Sequence, residues 1–323
     1  LGQRLPALVM AQVQGRLSGR RLAGGFEAST HGLQFVTGDG LRWPGGNLRL
    51  QHTNGGGRAG QERSELSADR LDLAALAAIA TRLPLGEAAH RALRTYAPQG
   101  QVEALQATWQ GPFDAQGRYD ITARVKGLSV ADTPSAASAG VVGLRGAAVD
   151  IEMTQAGGKA TLRVAHGALL LPGIFEDPVL ALDQLDTQVQ WKIGASDAPG
   201  GPDISVQVAP THFANADAQG QLRATWRTSD AATSSSGGRF PGVLDLSGTL
   251  SRANGTRVHR YLPLVIPAQA RHYVRDGVLA GSASTVTFRV KGDLNDMPFD
   301  DPKLGEFRIA AQVQNATYAF VPP

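Results

Sequence analysis

Along most of this sequence every second side chain is apolar, and that period restricts the fold more than any other feature. Tyr119, Ile121, Ala123 and Val125 alternate with Arg118, Asp120, Thr122, Arg124 and Lys126, so each set occupies its own face of a strand. Val149, Ile151 and Met153 run into Gly157-Gly158, after which Ala160, Leu162 and Val164 come back. That pattern predicts a hairpin turning at the two glycines. The alternation recurs over 204–208, 222–226, 244–246, 286–290 and 307–313. The expected fold class is mostly β, a long and largely antiparallel sheet with one apolar and one wet face.

Helix is expected in only two regions, as short insertions between strands. Asp72 can cap a helix whose Leu73, Leu76, Ile79 and Leu83 follow three-to-four spacing, and Pro84 ends it. A second stretch over about 86–96 uses Ala89, Leu93 and Tyr96. Later, Pro267 suits a first helical turn, Ala270, Tyr273 and Val274 form a stripe, and Gly277 suits a stop.

These insertions belong to an internal repeat. Leu83-Pro84-Leu85, a helix, Gly100 and a strand over 102–110 ending at Gly111 are echoed by Leu262-Pro263-Leu264, a helix, Gly277 and a strand over 284–291 ending at Gly292. The offset is nearly the same throughout. Repeat-like units over about 72–127 and 259–320, with Gly100 and Gly277 at equivalent turns, predict an extended, modular β-region. Segments 54–60, 132–140, 196–203 and 228–238 are rich in Gly, Ser, Ala and Pro and read as surface connections.

Composition narrows the function. At 323 residues and 42% hydrophobic content the chain can bury a large core and is not disordered. The absence of cysteine removes disulfides, thiolate metal sites and cysteine nucleophiles, without fixing a compartment. A net charge of +3 with scattered Lys and Arg gives nucleic-acid binding no support. No apolar run of about 18 residues is present to span a bilayer. The opening residues lack a signal peptide's charged and apolar regions. Leu8, Val9, Met10 and Val13 already read as an element, so the chain is expected to be a piece of a longer protein, with targeting segments upstream.

The alternation poses a burial problem. On the order of 15 strands of about 5 to 8 residues each carry a large apolar face that two short helices cannot cover. Each large apolar side chain left in water forgoes about 1.5 to 3 kcal/mol. The sheet must curl on itself, pair with a second sheet or hold an apolar ligand, and the pattern alone favours none of the three.

Candidate chemical sites are weak. His31, His52, His90, His166, His212, His259 and His272 are scattered, without metal-ligand spacing. Asp293, Asp296, Asp300 and Asp301 crowd one segment, but not in the order of a calcium loop, and Asp301-Pro302 favours a turn. Ser282 and Ser284 lack a nucleophile elbow. Gly55-Gly56-Gly57 lacks the Lys and Ser/Thr of a phosphate loop. Trp43, Trp109, Trp191 and Trp226 lie in four separate segments and read more simply as core fillers than as a lipid-facing set. No metal, cofactor or catalytic residue is assigned, and the chain is expected not to be an enzyme.

The C-terminal region carries a recognisable phrase. Tyr261-Leu262-Pro263, Asp276-Gly277, Gly292-Asp293-Leu294 with Pro298-Phe299, and Gly305-Glu306-Phe307 resemble the YhdP family of AsmA-like envelope proteins, where Gly-x-Leu-x-x-Phe-Pro-Phe precedes a Gly-x-Phe strand. Met297 stands where the phrase usually has its first Phe, a change a packing role tolerates. The resemblance extends upstream through Trp43-Pro44-Gly45-Gly46, the helix near 72–83, Pro98-x-Gly100, Trp109 and Gly127-Leu128.

That resemblance implies a curved sheet forming an apolar groove, in a periplasmic part of a protein anchored to the inner membrane by an N-terminal segment absent here. It implies that the groove shields phospholipid acyl chains during transport toward the outer membrane, with both membranes contacted through regions outside this chain. The expected groove lining is Ile121, Val125, Ile151, Leu162, Val164, Leu246, Phe288, Val290, Ile309 and Val313, with Arg124, Lys126, Arg289 and Lys291 on the other side. Two alternatives stand beside this reading. One is a scaffold offering sheet edges during outer-membrane protein assembly. The other is a polysaccharide-binding β-domain, for which 6% aromatic content and the lack of an acidic pair offer little.

Overall fold

The computed structural model describes residues 9–55, 62–82, 87–111, 117–132, 140–194, 201–231, 234–235 and 237–321. The strands among them form one open antiparallel sheet of 16 strands, ordered by sequence from β1 to β16 except that the two-residue strands β3 and β6 lie off the path. The chain divides into two compact units, Leu1–Ala160 and Thr161–Pro323.

Unit 1 holds β1 (Met10–Leu22), β2 (Gly25–Thr37), β3 (Arg42–Trp43), β4 (Leu48–Thr53), β5 (Arg63–Ala68), β6 (Leu71–Asp72), α1 (Leu73–Ala80), α2 (Glu87–Tyr96), β7 (Gln99–Gln110), β8 (Arg118–Val130) and β9 (Gly143–Thr154). The division between the units falls inside β10 (Gly157–Leu170). Unit 2 continues with β11 (Val179–Ile193), β12 (Ile204–Ala214), β13 (Ala218–Arg227), β14 (Val243–Asn254), a 3-10 turn (Gly255–Tyr261), α3 (Ala268–Gly277), β15 (Val278–Asp293), a 3-10 turn (Leu294–Asp296) and β16 (Gly305–Tyr318).

The expected helices form where their caps are. The Asp72 carboxylate accepts from the Ala75 amide at 2.8 Å, and Pro267 precedes the first turn of α3. Leu83-Pro84-Leu85 and the Gly56-Gly57 part of the glycine run lie outside the described residues, as do Leu8 and much of the four expected connections. The described remainders of those connections fall between strands.

Three expectations are corrected. The β9–β10 hairpin turns at Gln155-Ala156, because Gly157 already opens β10 and the Thr154 hydroxyl bridges the turn to the Gly157 carbonyl at 3.3 Å. Most strands on the path are longer than 5 to 8 residues, reaching 16 in β15. Finally, Gly277 closes α3 and is not the counterpart of Gly100.

Gly100 has φ 124° opposite Gly127 at 61°, and the conformation that matches it is Gly281 at 142° opposite Asn315 at 50°. The same pairing occurs between Gly15 at 136° and Gly32 at 57°. In each case the register slips at that glycine, between Gln99 and Gln101, Ala280 and Ser282, and Gln14 and Arg16. These are β-bulges, which insert a residue and reset which side chains face inward. At Gly100 a Cβ would stand 2.9 Å from the Gly127 carbonyl oxygen, so glycine is required there by both conformation and close approach.

In unit 1 the core sits at the β7 N-terminal end, where α1 lies against the sheet. Ala75 of α1 is buried with Phe35, Trp43, Leu71, Val102 and Val125, and Leu73 and Ile79 pack around them. Trp43 stacks on Phe35 with ring centroids 5.8 Å apart. In unit 2, α3 and the 255–261 turn pack against the start of β15.

Candidate functional site

Directly opposed residues in antiparallel strands share a face, so the registers show how the apolar side chains line up. In unit 1, Ala28, Leu50, Leu66, Ala107, Ile121 and Met153 form one row across β2, β4, β5, β7, β8 and β9. Thr30, Leu48, Ala68, Leu105, Ala123 and Ile151 form the next, and Val102, Val125 and Val149 the one nearest α1. In unit 2, Val208, Ala224, Leu246, Val290 and Phe307 line up, beside a row of Leu222, Gly248, Phe288 and Ile309.

The opposite face is mainly polar. Glu27, Gln51, Glu65, Thr108, Asp120 and Thr154 form its unit 1 row. In unit 2, Asp245, Lys291 and Glu306 align beside Ser247, Arg289 and Arg308. Ion pairs tie neighbours on this face, including Arg124–Asp150 at 2.7 Å, Lys126–Glu103 at 2.7 Å and Arg289–Asp245 at 3.3 Å. Being open to water, these pairs add little to stability.

The ten residues expected to line a groove are placed as follows. Ile121, Val125 and Ile151 share the apolar face of unit 1, and Leu246, Phe288, Val290, Ile309 and Val313 that of unit 2. Leu162 and Val164 alternate with Thr161 and Arg163 on β10. Val125, Val164 and Val290 are buried, whereas Ile121, Ile151, Leu162, Leu246 and Phe288 are half-buried. Ile309 is 47% exposed and Val313 56%. Among the described residues no second sheet pairs with this one, and burial along the face is uneven, from 2% exposure at Val164 to 56% at Val313.

The tryptophans are the main correction. Trp43 is the core filler expected, only 4% exposed. The other three stand half-buried on the apolar faces, in rows at the strand ends, and long-range pairing assembles those rows from segments distant in sequence. In unit 1 the row at the β7 C-terminal end runs Arg21, Phe26, His52, Ser64, Trp109 and Tyr119. In unit 2 Trp191, Val206, Trp226 and Leu244 form the row at the β11 and β13 C-terminal ends. There Phe240, 60% exposed, stacks on Trp226 at 6.0 Å, and the Trp226 indole donates to the Pro241 carbonyl at 2.8 Å.

His52 stands in an organised polar group on the apolar face of unit 1. Its Nε2 meets the Asn54 Oδ1 at 2.9 Å and its Nδ1 the Ser64 Oγ at 2.8 Å. An amide oxygen only accepts, so Nε2 carries a proton and, in the neutral ring, the Ser64 hydroxyl donates to Nδ1. His272 pairs with Glu176 at 3.1 Å. His259 sits in the 255–261 turn, where desolvation holds its pKa below the ordinary value of 6.5 and the nearby Arg275, Arg257 and Arg260 add to the effect.

The loop aspartates are acceptors for turns and neighbouring hydroxyls. Asp293 takes the Ser229 hydroxyl at 2.7 Å and the Asn295 amide at 3.0 Å, which help keep its pKa low against a desolvation that raises it. Asp296 takes the Ser235 hydroxyl at 2.6 Å, and Asp301 the Lys303 amide at 2.9 Å. Among the described residues no cluster of three or more His, Asp or Glu has metal-binding geometry. Ser282 and Ser284 are exposed on β15.

Beside β11 the Arg260 guanidinium bridges Asp217 at 2.5 Å and Asp177 at 2.6 Å. Buried Arg271 is held by Glu176 and by the Leu264 and Ile266 carbonyls. These contacts fasten the 255–271 segment to the β10–β11 connection.

No helix among the described residues is long and apolar enough to cross a membrane. The family model described as YhdP protein matches residues 1–323. Neither curated proteins nor solved structures give a match.

Proposed function

The chain belongs to the YhdP family, and from that premise we propose that its one-sided sheet faces shield phospholipid acyl chains in the cell envelope. The role is non-enzymatic, in a periplasmic part of a membrane-anchored protein that supports phospholipid movement toward the outer membrane and the barrier it forms. One observation carries the reading. Aliphatic side chains align in consecutive rows on one face, without a second sheet among the described residues, and part of that face stays exposed at Ile309 and Val313. Acyl chains laid on such rows would recover much of the roughly 25 cal/mol per Å² that apolar surface forgoes in water. Hydrocarbon is held there by area, since aliphatic rows direct no hydrogen bonds.

Ile309 provides the cleanest test. It is exposed enough to accept a charge without unfolding the sheet, whereas Val290 is buried. Ile309→Asp in the full-length protein should abolish outer-membrane integrity in a strain that depends on it, because a carboxylate on the face must be desolvated or must drag water in. Val290→Ile should be silent. A normal barrier with folded, protease-resistant Ile309→Asp would sink the acyl-shielding role and favour strand addition at the sheet edges.

A further inference from the structure

Unit 1 presents an apolar face with two chemically different ends, and this asymmetry assigns an orientation to whatever lies on it. At one end α1 closes a dry cluster around Trp43, Val102 and Val125. At the other stands the row of Arg21, Phe26, His52, Ser64, Trp109 and Tyr119. Between them, among the described residues, are the two aliphatic rows through Ile121 and Ala123, with Thr30 at their β2 margin. We propose, on the acyl-shielding reading above, that unit 1 binds a glycerophospholipid in one orientation, its phosphate and ester level at the Arg21-to-Tyr119 row and its acyl ends toward α1.

Three features carry this. The first is length. Tyr119 to Ala123, the last position on β8 before the cluster that α1 closes, covers four strand steps, about 13 Å at about 3.3 Å per residue, and one leaflet's hydrocarbon is about 15 Å deep. The apolar stretch is therefore matched to one acyl chain laid along the strands.

The second feature is the kind of side chain at the open end. Trp and Tyr combine an apolar ring with a hydrogen-bonding tip, so they settle where hydrocarbon meets headgroups. The Tyr119 hydroxyl has no protein partner among the described residues, and the His52–Ser64–Asn54 chain adds polar atoms at the same level.

The third is charge. Arg21 lies opposite Phe26 on this face, is exposed, and makes no ion pair among the described residues. Its neighbour Arg20, on the polar face, is paired with Glu27 at 3.2 Å. A guanidinium left unpaired beside an apolar face suits a phosphate, which it can meet with two parallel hydrogen bonds.

The test uses the full-length wild-type protein loaded from phosphatidylglycerol vesicles. These contain a trace of phospholipid bearing a diazirine either on the headgroup or at the acyl terminus, and adducts are mapped by mass spectrometry after irradiation. The headgroup probe should label peptides containing Arg21, Phe26, Trp109 or Tyr119, and the acyl probe those containing Trp43, Leu73 or Val102. Arg21→Gln, at an exposed edge position, should cut headgroup labelling several-fold with little change in acyl labelling. A reversed or uniform distribution, or unchanged headgroup labelling in Arg21→Gln, would overturn the orientation while leaving acyl shielding intact. No adducts from either probe would overturn both.

Discussion

Phe299 shows what the Gly-x-Leu-x-x-Phe-Pro-Phe phrase does. Its backbone has φ 66° and its ring is 7% exposed, lying over Gly292 and Gly305, which oppose each other where β15 meets β16. A Cβ on Gly305 would stand 2.4 Å from the Phe299 ring, and one on Gly292 2.6 Å from it. The glycines thus make the seat and the phenylalanine fills it. Phe299→Ala should cost about 3 to 5 kcal/mol locally, read as faster hydrogen exchange at the β15–β16 end, and Met297→Phe should not.

His259 adds a pH dependence. Its pKa is lowered in the folded chain, mainly by desolvation, so below the ordinary value of 6.5 the unfolded state takes up the proton first. The contribution is complete above that pH and is lost as pH falls from it through the lower folded value. Exchange protection of the 255–261 amides, corrected for the intrinsic pH dependence of exchange, should drop as pH falls below 6.5, and His259→Phe should flatten the change. The phrase was visible in the sequence, but the ring-on-glycine contact was not, because nothing local says which face Phe299 turns to.

At the scale of elements, the strands were legible only up to their bulges. The alternation identifies β8 from Arg118 to Lys126, yet the strand runs on to Val130 past the positive-φ Gly127. It identifies β10 through Val164, and the strand continues past His166, at φ 58°, to Leu170. A bulge shifts parity, so a fixed period of two stops matching there although the hydrogen-bonded pairing continues. β1 gave little signal for a different reason. As an edge strand exposed along nearly its whole length, it has no buried face to impose a pattern. The bulges should therefore be the sensitive points of the sheet. Gly100→Ala meets both the φ of 124° and the Gly127 carbonyl, and it should weaken the sheet more than Gly111→Ala, which meets a φ of 76° but has nothing within 4 Å of its Cβ. Limited proteolysis comparing the two variants decides it, and equal resistance would mean that the paired bulge is not required.

At the scale of the whole molecule, the binary division of faces could be read from the sequence, and the rows could not. Ser64 and Trp109, or Trp191 and Trp226, become neighbours on a face only through pairings between distant segments. That is why the tryptophans read as isolated fillers. Once the rows are assembled, each unit has a face whose hydrogen bonding is complete within the strands but whose hydrocarbon is not fully covered. Such a face gains stability from any ligand that binds the folded state alone, by about 2.7 kcal/mol at a ligand concentration 100 times its dissociation constant. Phosphatidylglycerol vesicles should therefore raise the thermal midpoint of the protein. If area on the apolar faces supplies that gain, it should survive about 0.5 M salt, where exposed charges are screened beyond a few ångströms, and Ile309→Asp should shrink it. A gain abolished by salt and indifferent to Ile309→Asp would place the lipid on the ion-paired face carrying Arg289 and Lys291, leaving the apolar rows to pack against something other than acyl chains.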